Sequence, residues 1–120
     1  MITIYHNPRC SKSRETLALV QQVAQKQQLS LCIVDYLKTP LNTAQLHTLQ
    51  QQLGIPVGAM LRDNEDEYAS LDLAKADESA VLDAIALHPK LLQRPIVVFQ
   101  DLALIGRPPE CVLALFKDAL

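Results

Sequence analysis

No apolar run in this 120-residue chain approaches the roughly 20 consecutive residues that span a bilayer, so no contact with a membrane is expected. The opening residues Met1-Ile-Thr-Ile-Tyr5 lack both a basic leader and a long apolar stretch, and no export signal is expected from them. Internal repeats, Gly/Ser-rich linkers and low-complexity tracts are also absent, and the chain reads as one domain over residues 1–120. Cysteines are few and odd in number. Cys10, Cys32 and Cys111 make no disulfide framework, so reduced thiols in the cytoplasm are expected. Nor is there an excess of positive charge: the net charge of −2 gives no support for binding nucleic acid.

What is present is core material. A hydrophobic fraction of 49% with 20% charged residues fits a packed globule and excludes a disordered chain. The charge is unevenly placed. Residues 1–60 carry five basic and two acidic side chains, whereas residues 61–120 carry six and eleven.

Ile2 to Tyr5 has the β-branched and aromatic content of a short strand. Beyond Pro8 the period changes: Leu17, Val20, Val23 and Ala24 mark one face of a helix from about Ser11 to about Gln27. Leu31 to Val34 reads as a second strand. Asn42 and Thr43 are good cap residues for a helix carrying Leu46, Leu49 and Leu53, with Gly54 as its stop. A helical turn follows from Pro56 to Leu61, then an exposed acidic loop from Asp63 to Glu67, then a helix from Asp77 to His88. Pro95 to Phe99 and Leu102 to Ile105 read as strands joined tightly at Gln100-Asp101. A last helix starts at Pro108-Pro109 and buries Val112, Leu115 and Phe116. The first strand–helix–strand unit implies a parallel crossover and the closing pair a hairpin. The expected fold class is therefore α/β, a small mixed four-stranded sheet flanked by helices in the thioredoxin-like arrangement.

Chemistry concentrates in Tyr5-His-Asn-Pro-Arg-Cys-Ser-Lys-Ser-Arg-Glu15, where Cys10 falls between a strand end and a helix start. Unpaired N–H groups at a helix N-terminus stabilise an anion. Arg9, Lys12 and Arg14 are close to Cys10 in sequence, and both influences favour the thiolate. The same positive field would hold an oxyanion against it. Position 13 is Ser rather than Cys, so no Cys-X-X-Cys disulfide can form. A thiol-phosphatase loop would place Arg six residues after the cysteine, where this chain has Thr16. His6 with Cys10 lacks a further Cys or His cluster, and no metal is expected. Cys32 and Cys111 have apolar neighbours and read as core residues, while His47 and His88 read as partly exposed surface residues.

The segment Tyr5 to Arg14 resembles the active-site segment of the glutaredoxin-dependent arsenate reductase family, in its short bacterial branch with His-Asn-Pro-Arg-Cys-Ser-Lys-Ser-Arg. The likeness continues through Tyr36-Leu-Lys-Thr-Pro40, Met60-Leu-Arg62, Leu91-Leu-Gln-Arg-Pro-Ile-Val-Val98 and Ile105-Gly-Arg-Pro-Pro-Glu110. It implies a thioredoxin-like fold, Cys10 as the nucleophile toward arsenate, and Arg62, Arg94 and Arg107 as the arginines that bind the oxyanion. It also implies that His6 and Ser13 help keep Cys10 a thiolate, alongside Arg14. Arg94-Pro95 is then the candidate cis peptide. No tightly bound cofactor is implied; glutathione serves as co-substrate and a glutaredoxin as partner. Phosphate and sulfate are the expected competing anions, and the protein is expected to act as a monomer.

Two other readings stay open from the residues. One is a thiol oxidoreductase of the same fold acting on another oxyanion or on glutathione mixed disulfides. The other is a redox regulator binding RNA polymerase, against which the missing Cys-X-X-Cys stands.

Overall fold

The computed structural model describes residues 1–62 and 65–116. The chain divides into two compact units, one formed by Met1–Tyr36 with Arg94–Leu120 and the other by Leu37–Gln93. Among the described residues no helix is long and apolar enough to cross a membrane.

The first unit is built on four strands: β1 (Ile2–His6), β2 (Leu31–Asp35), β3 (Ile96–Phe99) and β4 (Leu102–Ile105). They lie in the order β2-β1-β3-β4. β1 runs parallel to β2, pairing Ile2 with Leu31 through to His6 with Asp35. The β1–β3 and β3–β4 pairs are antiparallel. This is the mixed sheet of the expected thioredoxin-like arrangement. Gln100 and Asp101 both take positive φ, 51° and 65°, the backbone of a two-residue hairpin that matches the twist of its strands.

α1 (Ser11–Gln27) connects β1 to β2. Its inner stripe is Ser13, Thr16, Val20, Val23 and Ala24, the three-and-four spacing of one helix face. β1 alternates, burying Ile2, Ile4 and His6 and leaving Thr3 and Tyr5 half-buried, as a period of two requires. Ile2, Ile4, Val20, Val23, Ala24, Val97, Phe99, Val112 and Phe116 close into one core. Within it the Phe99 and Phe116 rings sit 4.9 Å apart at 41°, a tilted aromatic pairing.

The helix expected after β4 is present, and Pro109–Phe116 forms it with 3-10 winding. The Cys111 N–H already donates to the Pro108 carbonyl at 3.0 Å, so the turn is wound three residues apart from its start. Val112 and Phe116 are buried, but Leu115 is only half-buried.

The second unit contains α2 (Thr43–Leu53), α3 (Asp66–Ser70) and α4 (Glu78–Leu87), with 3-10 turns at Val57–Met60, Leu73–Lys75 and Pro89–Leu91. α2 has a full capping box: the Gln45 N–H donates to Asn42 Oδ1 at 2.8 Å and the Asn42 N–H to Gln45 Oε1 at 2.9 Å. Gly54 closes it with φ 65°, a left-handed stop that suits a residue without Cβ. Asp77 caps α4 through the Ala80 N–H at 2.8 Å. An antiparallel bridge joins Leu61 to Leu92. The acidic stretch is not simply a solvated loop. Asp63 and Asn64 lie outside the described residues, while Asp66 and Glu67 open α3. Glu67 pairs with Lys90 at 2.8 Å, and the hydrogen bond from Lys90 holds its carboxyl below the usual carboxylate range.

The capping box makes a stability test. Asn42→Ala removes the Oδ1 acceptor of the Gln45 N–H while keeping the backbone N–H that Gln45 Oε1 accepts, and should lower the free energy of chemical unfolding by about 1 kcal/mol, with Asn42→Asp close to neutral.

Candidate active site

Strand directions gather the site. β1 ends at His6 and is followed by Cys10, while antiparallel pairing sets Tyr5 opposite Ile96 and Ile96 opposite Ile105. The residues just before β3, Arg94 and Pro95, and those just after β4, Gly106 and Arg107, therefore emerge at the same end of the sheet as Cys10.

Cys10 is the N-cap residue of α1, with φ −96° and ψ 125°. It makes no ordinary side-chain cap hydrogen bond, yet the Ser13 and Lys12 N–H groups, at the third and second helical positions, both stabilise its thiolate. Burial would raise the thiol pKa. It is outweighed by the Ser13 N–H, the Arg94 guanidinium, the Lys12 N–H and the Arg107 guanidinium, and the net direction is down. Arg107 Nη2 approaches Cys10 Sγ to 3.7 Å. Its Nε–H donates to the Arg94 carbonyl at 2.9 Å, which ties the two arginines into one assembly. Arg94 Nε is buried without a partner among the described residues, a donor that calls for an acceptor. Both Arg94-Pro95, the candidate, and Arg107-Pro108 are cis.

The cations nearest in sequence are occupied differently from what their spacing implied. Arg14 Nη1 donates to the Pro8 carbonyl at 3.1 Å, and Lys12 pairs with Glu15 at 3.6 Å. Arg9 is exposed. The guanidiniums that act on the sulfur come from Arg94 and Arg107, while Arg14 braces the loop. Adjacent positions at a helix start fan out to different sides, which separation along the chain does not reveal.

Ser13 also works differently from a direct donor to sulfur. Its hydroxyl lies 2.7 Å from His6 Nδ1 and accepts the Asn7 N–H at 2.9 Å; its link to Cys10 is the backbone N–H. Burial pushes the His6 pKa down, Asp35 opposes this and Arg14 adds to it, and the net direction is down. In the tautomer with its proton on Nε2, His6 accepts the Ser13 O–H at Nδ1. Asp35 reaches this network through the parallel register with His6, a neighbour that only the pairing reveals.

Arg62 belongs to the other unit. There its N–H donates to the Leu91 carbonyl at 2.7 Å, and its guanidinium meets Glu65 at 2.8 Å. Cys32 is half-buried, and Cys111 is exposed rather than part of the core, because the turn that buries Val112 leaves it outside. His47 is exposed and His88 half-buried.

Residues 5–115 match the model of the ArsC family. Over 115 residues the chain is 45% identical to the uncharacterized protein YfgD of Escherichia coli (strain K12), covering 93% of each. It is 42% identical over 115 residues to an arsenate reductase of Haemophilus influenzae, covering 93% of this chain and 96% of that one. An arsenate reductase structure from Vibrio cholerae superposes with a TM-score of 0.86 at 45% identity, over 95% of this chain and 96% of that one.

The origin of the positive field can be measured in a protein whose other cysteines are serines. The alkylation rate of Cys10 with iodoacetamide should titrate below the ordinary thiol value of about 8.5. At pH 7, Arg94→Ala or Arg107→Ala should slow it roughly 3- to 10-fold. Lys12→Ala should change it little; equal losses from Lys12→Ala and Arg107→Ala would return the field to the loop.

Proposed function

The chain belongs to the ArsC family, and from that premise we propose that it is an arsenate reductase whose single working thiol is Cys10. The observation that carries this reading is the 3.7 Å approach of Arg107 to Cys10 Sγ. With Arg94 alongside, a thiolate and an anion seat arise from the same guanidiniums. Arginine suits the seat because its planar fork donates paired hydrogen bonds to tetrahedral oxyanions and keeps its charge. The family resemblance also assigns Arg62 an oxyanion-binding role.

In the proposed sequence the Cys10 thiolate attacks arsenic(V) of bound arsenate, a sulfur–arsenic bond forms, and one oxygen leaves as water after protonation. Glutathione then attacks Cys10 Sγ. The sulfur–arsenic bond breaks with its electron pair going to arsenic, so arsenic(V) becomes arsenic(III) and the two sulfurs are oxidised to a mixed disulfide. A glutaredoxin thiol takes over the glutathionyl group and frees Cys10. Ser13 in place of a second cysteine fits a resolving thiol supplied from outside. Phosphate fits the same arginines but offers no thiol-reducible centre, so it acts as a competitor.

The test is arsenate-dependent NADPH consumption coupled through glutathione, glutaredoxin and glutathione reductase. Wild type should turn over and Cys10→Ser should not. Arg94→Ala should lower kcat/KM by about tenfold or more, the scale of a lost charge-assisted hydrogen bond. Phosphate should raise the apparent KM for arsenate. Absence of arsenate-dependent turnover in wild type refutes the substrate, and turnover of glutathione mixed disulfides in its place would make the protein a thiol oxidoreductase of the same fold.

A further inference from the structure

Gly106 stands where any side chain would strike the framework of the site. An ideal Cβ at this position would lie 2.6 Å from Thr16 Oγ1, 2.9 Å from Pro95 Cγ and 3.0 Å from Thr16 Cγ2. Real Cβ contacts do not come that close, so a neighbour would have to move. Neither neighbour yields readily. Thr16 is fully buried, stiff at χ1 as a β-branched residue, and held by a 2.8 Å hydrogen bond from its hydroxyl to the Lys12 carbonyl. Pro95 is a buried ring.

Gly106 is also fixed along its own backbone. Its N–H donates to the Pro95 carbonyl at 2.9 Å, and the next residue sends Arg107 Nε–H to the Arg94 carbonyl at 2.9 Å. The two arginine–proline segments are thus joined at two points. Thr16 belongs to α1, whose N-cap is Cys10. The gap between Gly106 and Thr16 therefore governs how closely the joined segments approach the helix that carries the sulfur.

We propose that Gly106 and Thr16 are positioning residues that set the reach of the Arg107 guanidinium to Cys10 Sγ, by allowing the Arg107 segment to lie directly against α1. The contact they control is a single 3.7 Å approach at the outer range of such interactions, so a shift of a few tenths of an ångström weakens it. The inference rests on Cys10 acting as a thiolate stabilised by Arg107, and does not require that the substrate be arsenate.

The full-length protein, with Cys32 and Cys111 changed to serine, supplies the test through the pH profile of Cys10 alkylation by iodoacetamide. Gly106→Ala should move the profile upward and slow the pH 7 reaction by roughly 3- to 10-fold, toward Arg107→Ala. Adding Thr16→Ala removes the two threonine atoms that the new methyl meets, and should recover at least half of that loss on the logarithmic scale. A purely structural glycine would alter stability without moving the profile. Gly106→Ala with a wild-type profile, alongside an Arg107→Ala that shifts it, overturns the inference and leaves the site reading intact. An unchanged profile in Arg107→Ala overturns the site reading and this inference with it. If Gly106→Ala does not fold, the double variant decides. Folded with a profile near wild type it supports the proposal, and folded with the Arg107→Ala profile it overturns it.

Discussion

The antiparallel register of β1 with β3 is the constraint on which the site depends. Cys10 and Arg107 are 97 residues apart, and no local propensity could bring them together. Pairing Tyr5 with Ile96, and Ile96 with Ile105, puts the end of one strand, the start of another and the end of a third at a single edge. A shift of β3 by one residue would turn Val97 and Phe99 out of the core. Hydrophobic patterning thus fixes the geometry of the candidate site, since the residues that fill the core also specify where the arginines emerge.

The core changes character along α1. Its inner face is apolar at Val20, Val23 and Ala24 but polar at Ser13 and Thr16, and His6 continues that polarity on β1. Buried polar groups destabilise unless they are hydrogen-bonded. Here they are: Ser13 meets His6 and the Asn7 N–H, and Thr16 meets the Lys12 carbonyl. The polar end of the stripe lies next to Cys10, so the chain gives up apolar packing where it builds chemistry.

Much of this was legible in the sequence, and the gaps have physical causes. α2 was readable at both ends because Asn42 and Gly54 act locally, through a cap and a left-handed stop. α1 ends without a glycine, on Gln28 at φ 55°, and only its periodicity located that end. The last helix was legible in place but not in winding, because the spacing of Val112 and Phe116 does not distinguish a 3-10 helix from an α-helix over so short a span. The loop cations were given a role that Arg94 and Arg107 perform, since nearness in sequence is not nearness in space. Those two arginines are recognised through family resemblance, marked locally only by the proline that follows each. Asp35 was missed altogether, because its place beside His6 depends on strand register.

The position of Cys10 at the head of α1 binds reactivity to folding. A helix end that favours a negative sulfur is itself favoured by that charge, because the interaction free energy is shared by both. The folded protein lowers the thiol pKa, so the thiolate contributes stability above the pKa of the unfolded chain. That contribution is lost as pH falls through the folded value. Covalent capping of the sulfur removes the same charge by another route. Any adduct on Cys10 Sγ therefore also withdraws a charge that stabilises the first turn of α1, so the stability of that turn is linked to the chemical state of the thiol.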